Sequence, residues 1–126
     1  MAMAESPSRT PIRIVVEGVG EARGELVKIL APLTVGALLK RMPLRGRVHP
    51  TQGGHSFIVG IRRGTEKSVS SVEAGTVAYW PMGDAVVLYS RDARPYSLVN
   101  KVGQILEGLE LLESLRSGSR VRIERI

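Results

Sequence analysis

The two ends of the chain carry the same signature. Ile12, Ile14 and Val16 alternate with Arg13, Val15 and Glu17, and Arg120-Val121-Arg122-Ile123-Glu124-Arg125-Ile126 alternates almost throughout. A period of two puts successive side chains on opposite faces of an extended backbone, so both segments read as half-buried strands. Between them the strand signals recur. Gly18-Val19-Gly20 reads as a turn that returns the chain through Glu21 to Leu30 as a hairpin. Leu44 to Arg63 is strand-like, broken by Gln52-Gly53-Gly54, with Phe57, Val59 and Ile61 on one face. Thr76 to Trp80 forms a strand stopped by Pro81-Met82-Gly83, which fits a type I turn. Ala85 to Tyr89 is apolar throughout, as in a strand covered on both faces, and Lys101 to Leu106 reads as a further strand. Glu66 to Ser71 and Arg91 to Asn100 are polar connections.

Two stretches change period. Pro32 opens a run with Val35, Leu38, Leu39 and Met42 at helical spacing. Proline fits the first helical turn, Lys40 and Arg41 suit the last, and Pro43 closes the helix at Met42. Leu109 to Arg116 places Leu109, Leu112 and Leu115 on one side, with Gly118 where a helix would stop. About eight strands and two short helices imply a mainly β protein. Its strands would close into a barrel, which removes sheet edges, with the helices capping the ends.

With 126 residues there is room for one core, and only five aromatic residues, so it must rest on Val, Ile and Leu. The expected organisation is a flexible tail over 1–10 and a barrel domain over 11–126. No cysteine is present, which excludes disulfides, thiolate metal sites and a cysteine nucleophile. No apolar run reaches the roughly 20 residues of a membrane span, and the first ten residues hold no signal-like apolar core. The expectation is a cytoplasmic protein without membrane contact. Lys and Arg (18) exceed Asp and Glu (12) for a net charge of +6, but the basic residues are scattered and interleaved with acids, as on a solvated mixed surface.

Two segments resemble the cyclophilins. Ala31-Pro32-Leu33-Thr34-Val35 is similar to the start of their first helix, and Val102 to Leu112 to their strand-to-helix segment, with Gly103 and Gly108 bracketing the strand's end. Gly75-Thr76-Val77-Ala78-Tyr79-Trp80-Pro81-Met82-Gly83-Asp84-Ala85 and Val99-Asn100-Lys101-Val102-Gly103 resemble still more closely a group of small cyclophilin-like proteins from archaea and thermophilic bacteria. The resemblance spans roughly residues 12 to 126 and implies a closed eight-stranded barrel with two helices. That group has no settled activity.

A cyclophilin lowers the roughly 18–20 kcal/mol barrier to peptide-bond rotation with an arginine beside an aromatic pocket. In the stretch resembling that site, Phe57 keeps the aromatic place while Ile58 and Val59 take those of the histidine and arginine. Were the strand to continue, Arg63 would start about 13 Å from Val59, too far to replace it. The resemblance therefore implies a barrel without the isomerase residues, leaving weak prolyl isomerase activity as the alternative.

His49 and His55 have no carboxylate between them and read as structural or surface histidines rather than metal ligands. No phosphate loop and no Gly-x-Ser-x-Gly elbow occurs. Tyr79, Trp80, Tyr89 and Tyr96 cluster beside Arg91, Arg94 and Asn100. The plainer reading packs Tyr79 and Trp80 under the adjoining loop as a secondary core. The alternative is a ligand cleft in which Arg91 holds an anionic group and Asn100 fixes orientation. The candidate ligand-binding set is thus Phe57, Tyr79, Trp80, Arg91, Tyr96 and Asn100. The expectation is no catalytic residue, no metal and no cofactor. A small molecule or peptide is the expected partner in preference to nucleic acid, for which no aromatic stacking platform is evident.

Overall fold

The alternating ends of the chain pair with each other. In the computed structural model, which describes residues 8–126, β1 (Arg9–Val16) lies antiparallel to β9 (Arg120–Arg125), with Ile14 opposite Ile123 and Val16 opposite Val121. Their apolar faces therefore merge into one core, and their charged faces into one surface. β1 starts within the stretch expected as tail, and residues 1–7 of that tail lie outside the described residues. The hairpin partner β2 (Gly20–Val27) ends earlier than the expected Leu30, because Lys28–Leu30 tightens into a single 3-10 turn.

The other strands are β3 (Leu44–Arg47), β4 (His49–Thr51), β5 (Gly54–Ile58), β6 (Thr76–Trp80), β7 (Ala85–Tyr89) and β8 (Asn100–Glu107). One sheet runs β3-β9-β1-β2-β8-β6-β7-β5-β4, and every neighbouring pair in it is antiparallel. The outermost strands β3 and β4 are separated in sequence by Val48 alone. That residue still pairs with the β9 side, its N–H on Ser119 O at 2.9 Å and its carbonyl accepting from Gly118 N at 2.8 Å. The chain then changes partner to β5, so a single segment joins both ends of the sheet and rolls it into a nearly closed barrel. This break gives nine strands where eight are expected.

The strand expected to reach Arg63 stops at Ile58. Val59 N still bonds Asp84 O at 2.9 Å, but Gly60 and Arg62 take positive φ angles of 75° and 52° and turn the chain away. Between β3 and β5 the barrel has a seam closed by side chains. A Cβ on Gly46 would lie 2.8 Å from the Phe57 ring, so only glycine permits this approach.

α1 (Pro32–Arg41) buries Val35 and Leu38 and half-buries Leu39 against the core. Met42 is extended (ψ 141°), as the residue before Pro43 must be, so the helix ends one residue early. α2 (Leu109–Glu113) seats Leu112 in the core but is shorter than expected. Ser114 explains this: its hydroxyl donates to Leu111 O at 2.6 Å, and the next N–H groups make only tight-turn bonds. The main core is Val, Ile and Leu with Phe57 and Tyr79. A second cluster under the 90–99 loop comprises Val72, Ala78, Val87, Tyr89 and Val99, with Trp80 and Ala93 against it.

Candidate functional site

The six residues singled out from sequence do not share one cleft. Phe57 and Tyr79 face the main core and are buried, whereas Trp80, next to Tyr79 on β6, faces the second cluster. Neighbours on a strand point to opposite faces, so Tyr79 and Trp80 could never line one surface together. Trp80 donates from Nε1 to Ser97 Oγ at 2.6 Å and packs with Tyr89, Pro95 and Tyr96. The space left among them is about 10 Å³, room for one water at most. Tyr96 is 89% exposed at the rim, and Arg91 is exposed.

Asn100 has no accessible surface, and its amide is fully engaged. Oδ1 accepts from Glu66 N at 2.8 Å, while Nδ2 donates to Gly64 O at 3.0 Å and Thr34 Oγ1 at 3.2 Å. The polar connection expected over 66–71 thereby gains a fixed anchor. Glu66 in turn accepts from Leu33 N (2.9 Å), Thr34 N (2.8 Å) and the Thr34 hydroxyl (2.7 Å), capping α1 from 32 residues away. Ala31, at the N-cap, has no side chain able to do this. Burial pushes the Glu66 carboxyl up. The hydrogen bonds from Leu33 and Thr34, with the charge of Arg63, outweigh it and hold the group below its ordinary value.

A second anchor holds the next turn of the same loop. Asp84 Oδ1 accepts from Ile61 N (3.1 Å), Arg62 N (2.9 Å) and Tyr79 Oη (2.6 Å), and Tyr79 Oη accepts from Arg63 N at 3.1 Å. Burial, reinforced by the bond to Asp84, pushes the Tyr79 hydroxyl up to about 12. Of the positions resembling the isomerase site, Val59 is buried in the core and Ile58 is 68% exposed. His55 lies beside Pro50 on the neighbouring strand. Its Nδ1 is buried without a partner among the described residues, and burial lowers its pKa. Among the described residues no group of three or more His, Cys, Asp or Glu could hold a metal ion, and no helix is long and apolar enough to cross a membrane.

A larger open space lies elsewhere, on the outer face of β1, β9 and β3. A groove of about 590 Å³ is lined by Val15, Glu17, Arg45, Arg47, Arg120 and Arg122, with Gly46 and Val121 in its floor. The register sets Arg45 directly opposite Arg122 and Arg47 opposite Arg120. Like charges facing each other across a ladder repel. Only Arg122 has a carboxylate at hand, Glu124 Oε1 at 2.5 Å from its Nε; among the described residues Arg45, Arg47 and Arg120 have none within ion-pair distance. Buried Glu25, by contrast, takes both Arg9 and Gln104. The chemistry such a face can perform is to hold an anion. Sequence reasoning saw these arginines as scattered. The signal was the spacing Arg45-x-Arg47 and Arg120-x-Arg122, which puts each pair on one strand face, but the pairing of β3 with β9 was not visible.

Residues 10–124 match the family model described as Cyclophilin-like. The chain belongs to the cyclophilin-like family. The solution structure of the hypothetical protein AF2241 from Archaeoglobus fulgidus is similar to this cyclophilin-like barrel at a TM-score of 0.78 and 30% identity, over 98% of this chain and all of that one. A structure of McbB in complex with tryptophan is similar at a TM-score of 0.73 and 14% identity, over 90% of this chain and 44% of McbB, a likeness of fold alone. No curated protein matches the chain. A smaller cavity of this cyclophilin-like barrel, about 350 Å³, opens at the seam between β3 and β5, lined by Arg41, Pro43, Leu44, Arg45, Ile58 and Gly60. Arg41 reaches over Gly60 so closely that a Cβ there would sit 3.0 Å from its Nη2.

Proposed function

We propose that this cyclophilin-like barrel is a non-catalytic binding module for an anionic small molecule or peptide, held in the groove of Arg45, Arg47, Arg120 and Arg122. One observation carries the reading. Four arginines line about 590 Å³ of open space, and three of them have no carboxylate partner among the described residues. Guanidinium forks bind phosphate and carboxylate bidentately, and a field of one sign raises the rate of capture. The aromatic set around Trp80 offers no comparable volume. Titrating the protein with inorganic phosphate at low ionic strength, followed by amide chemical shifts, tests this. Changes should gather at 15–17, 45–47 and 120–122 and fade as salt is added. Changes gathering at Trp80, Arg91 and Tyr96 instead would move the ligand to the aromatic set and end this reading.

A second reading, weak prolyl isomerase activity, is favoured by the seam cavity. There Arg41 from α1 stands near the place where the resemblance sets the isomerase arginine, beside exposed Ile58. A proline-peptide isomerisation assay decides it: a rate above background that Arg41→Ala abolishes supports it, and a background rate ends it.

A further inference from the structure

The arginine pairs stand in consecutive outward rows of one ladder. One row reads Glu17, Arg120, Arg47 and the next Val15, Arg122, Arg45, from β1 across β9 to β3. Successive outward residues on a strand are two apart, which separates the rows by about 7 Å. Within a row the two arginines stem from facing positions about 5 Å apart. Each row is therefore a clamp of two guanidiniums, enough for one phosphate group. Arg122 already has Glu124 beside it, so a single phosphate in its clamp leaves Arg47 and Arg120 uncompensated, and one in the other clamp leaves Arg45 so.

The floor between the clamps is open. The residues between the rows are Gly46 on β3 and Val121 on β9, one without a side chain and the other buried in the core, so nothing stands up to block a linker. Val15 gives the second row an apolar wall on the β1 side. Glu17 ends the first row with a carboxylate, which opposes a further anionic group there and can accept a hydrogen bond from a hydroxyl. No aromatic side chain lines the groove, so no base would stack in it.

From this we infer that the ligand is a compact bisphosphate, two phosphate groups on a short linker, with one phosphate clamped by Arg47 and Arg120 and the other by Arg45 and Arg122. The inference rests on the anionic-groove reading above and adds the number and spacing of the anionic groups. Calorimetric titration of the full chain at low salt with inorganic phosphate, diphosphate and propane-1,3-diol bisphosphate tests it. Diphosphate carries comparable charge, but its phosphorus atoms share one oxygen and cannot span the rows. Propane-1,3-diol bisphosphate should bind about a hundredfold more tightly than inorganic phosphate, because the second clamp is engaged intramolecularly. Diphosphate should stay near inorganic phosphate. Arg45→Ala and Arg47→Ala should each remove that advantage while the thermal midpoint holds or rises. A bisphosphate within about threefold of diphosphate overturns the two-clamp inference and leaves the anionic groove standing. Failure of all three to bind overturns both.

Discussion

The face of β1, β9 and β3 and the loop over residues 59–75 both crowd polar groups together, and they treat them in opposite ways. Around the loop, Asn100 is matched by three partners, Glu66 by the N-terminus of α1, and Asp84 by two backbone N–H groups of the loop and Tyr79. On the arginine face, two like-charged pairs oppose each other, and three guanidiniums lack a carboxylate among the described residues. Matched groups hold a segment of chain that has no ladder of its own. On the reading proposed above, unmatched charge is what a ligand would use. Asn100, the residue sequence reasoning placed in a binding cleft, thus sits among the residues that hold the fold. The arginines it passed over line the open groove.

If the loop network is structural, removing its centre should produce the largest loss of stability. Asn100→Ala takes the partners from Glu66 N–H and Gly64 C=O and one of two bonds from the Thr34 hydroxyl at a position that is itself fully buried, at a cost of about 3 kcal/mol. Urea denaturation measures it. A loss under about 1 kcal/mol would mean that water or rearrangement replaces these bonds, and the contrast between the two regions would weaken.

Alkali should reach the second anchor. The Tyr79 and Tyr89 hydroxyls are both raised from 10 to about 12, chiefly by burial. The unfolded chain ionises them first. The stability they contribute is therefore complete below pH 10 and declines as pH rises through about 12. Denaturation midpoints between pH 9 and 12 should fall, and Tyr79→Phe should flatten part of the slope. Midpoints level across that window would show that the phenols are not buried as described.

Acid tests the remote cap. Glu66 is held below its ordinary value of 4.5, so its contribution is complete above that pH and lost as pH falls through the lower, folded-state value. Glu66→Gln should remove that slope and cost about 1 kcal/mol at neutral pH, as a lost helix cap does. His55 also favours the neutral form in the fold, but it acts at higher pH, as the solution is acidified below 6.5. The two effects separate along the pH axis. An unchanged acid limb in Glu66→Gln would sink the cap.

Much of the barrel was legible because its signals are local. The alternation at 12–16 and 120–126, the apolar run 85–89 and the helix after Pro32 each follow from spacing within a few residues. The breaks were harder. Val48 changes strand partner because of where the sheet closes, and Ser114 ends α2 through a side-chain bond that rivals the backbone. The candidate site was least legible, for the same reason that Glu66 reads as a connection: 32 residues separate it from the helix it caps, and 75 separate Arg47 from the Arg122 that shares its groove. Such meetings exist only once the register of β3 on β9 is known.

The smallest expected effect discriminates best between the two regions, because its sign is opposite. Arg45 faces Arg122 and Arg47 faces Arg120 on exposed strands with no ion pair to lose on the β3 side. Truncating a member of such a pair relieves repulsion, so Arg45→Ala should stabilise the free protein by about 0.5 kcal/mol at low salt. The gain should shrink as added salt screens the pair. Part of it should vanish when an anion is present, since bound anion relieves the same repulsion in the wild type. Paired thermal melts of wild type and Arg45→Ala, with and without phosphate at two salt concentrations, measure all three. A destabilised variant in every condition would show that Arg45 contributes to the fold through packing of its stem, and the arginine face would then resemble the loop it has been contrasted with.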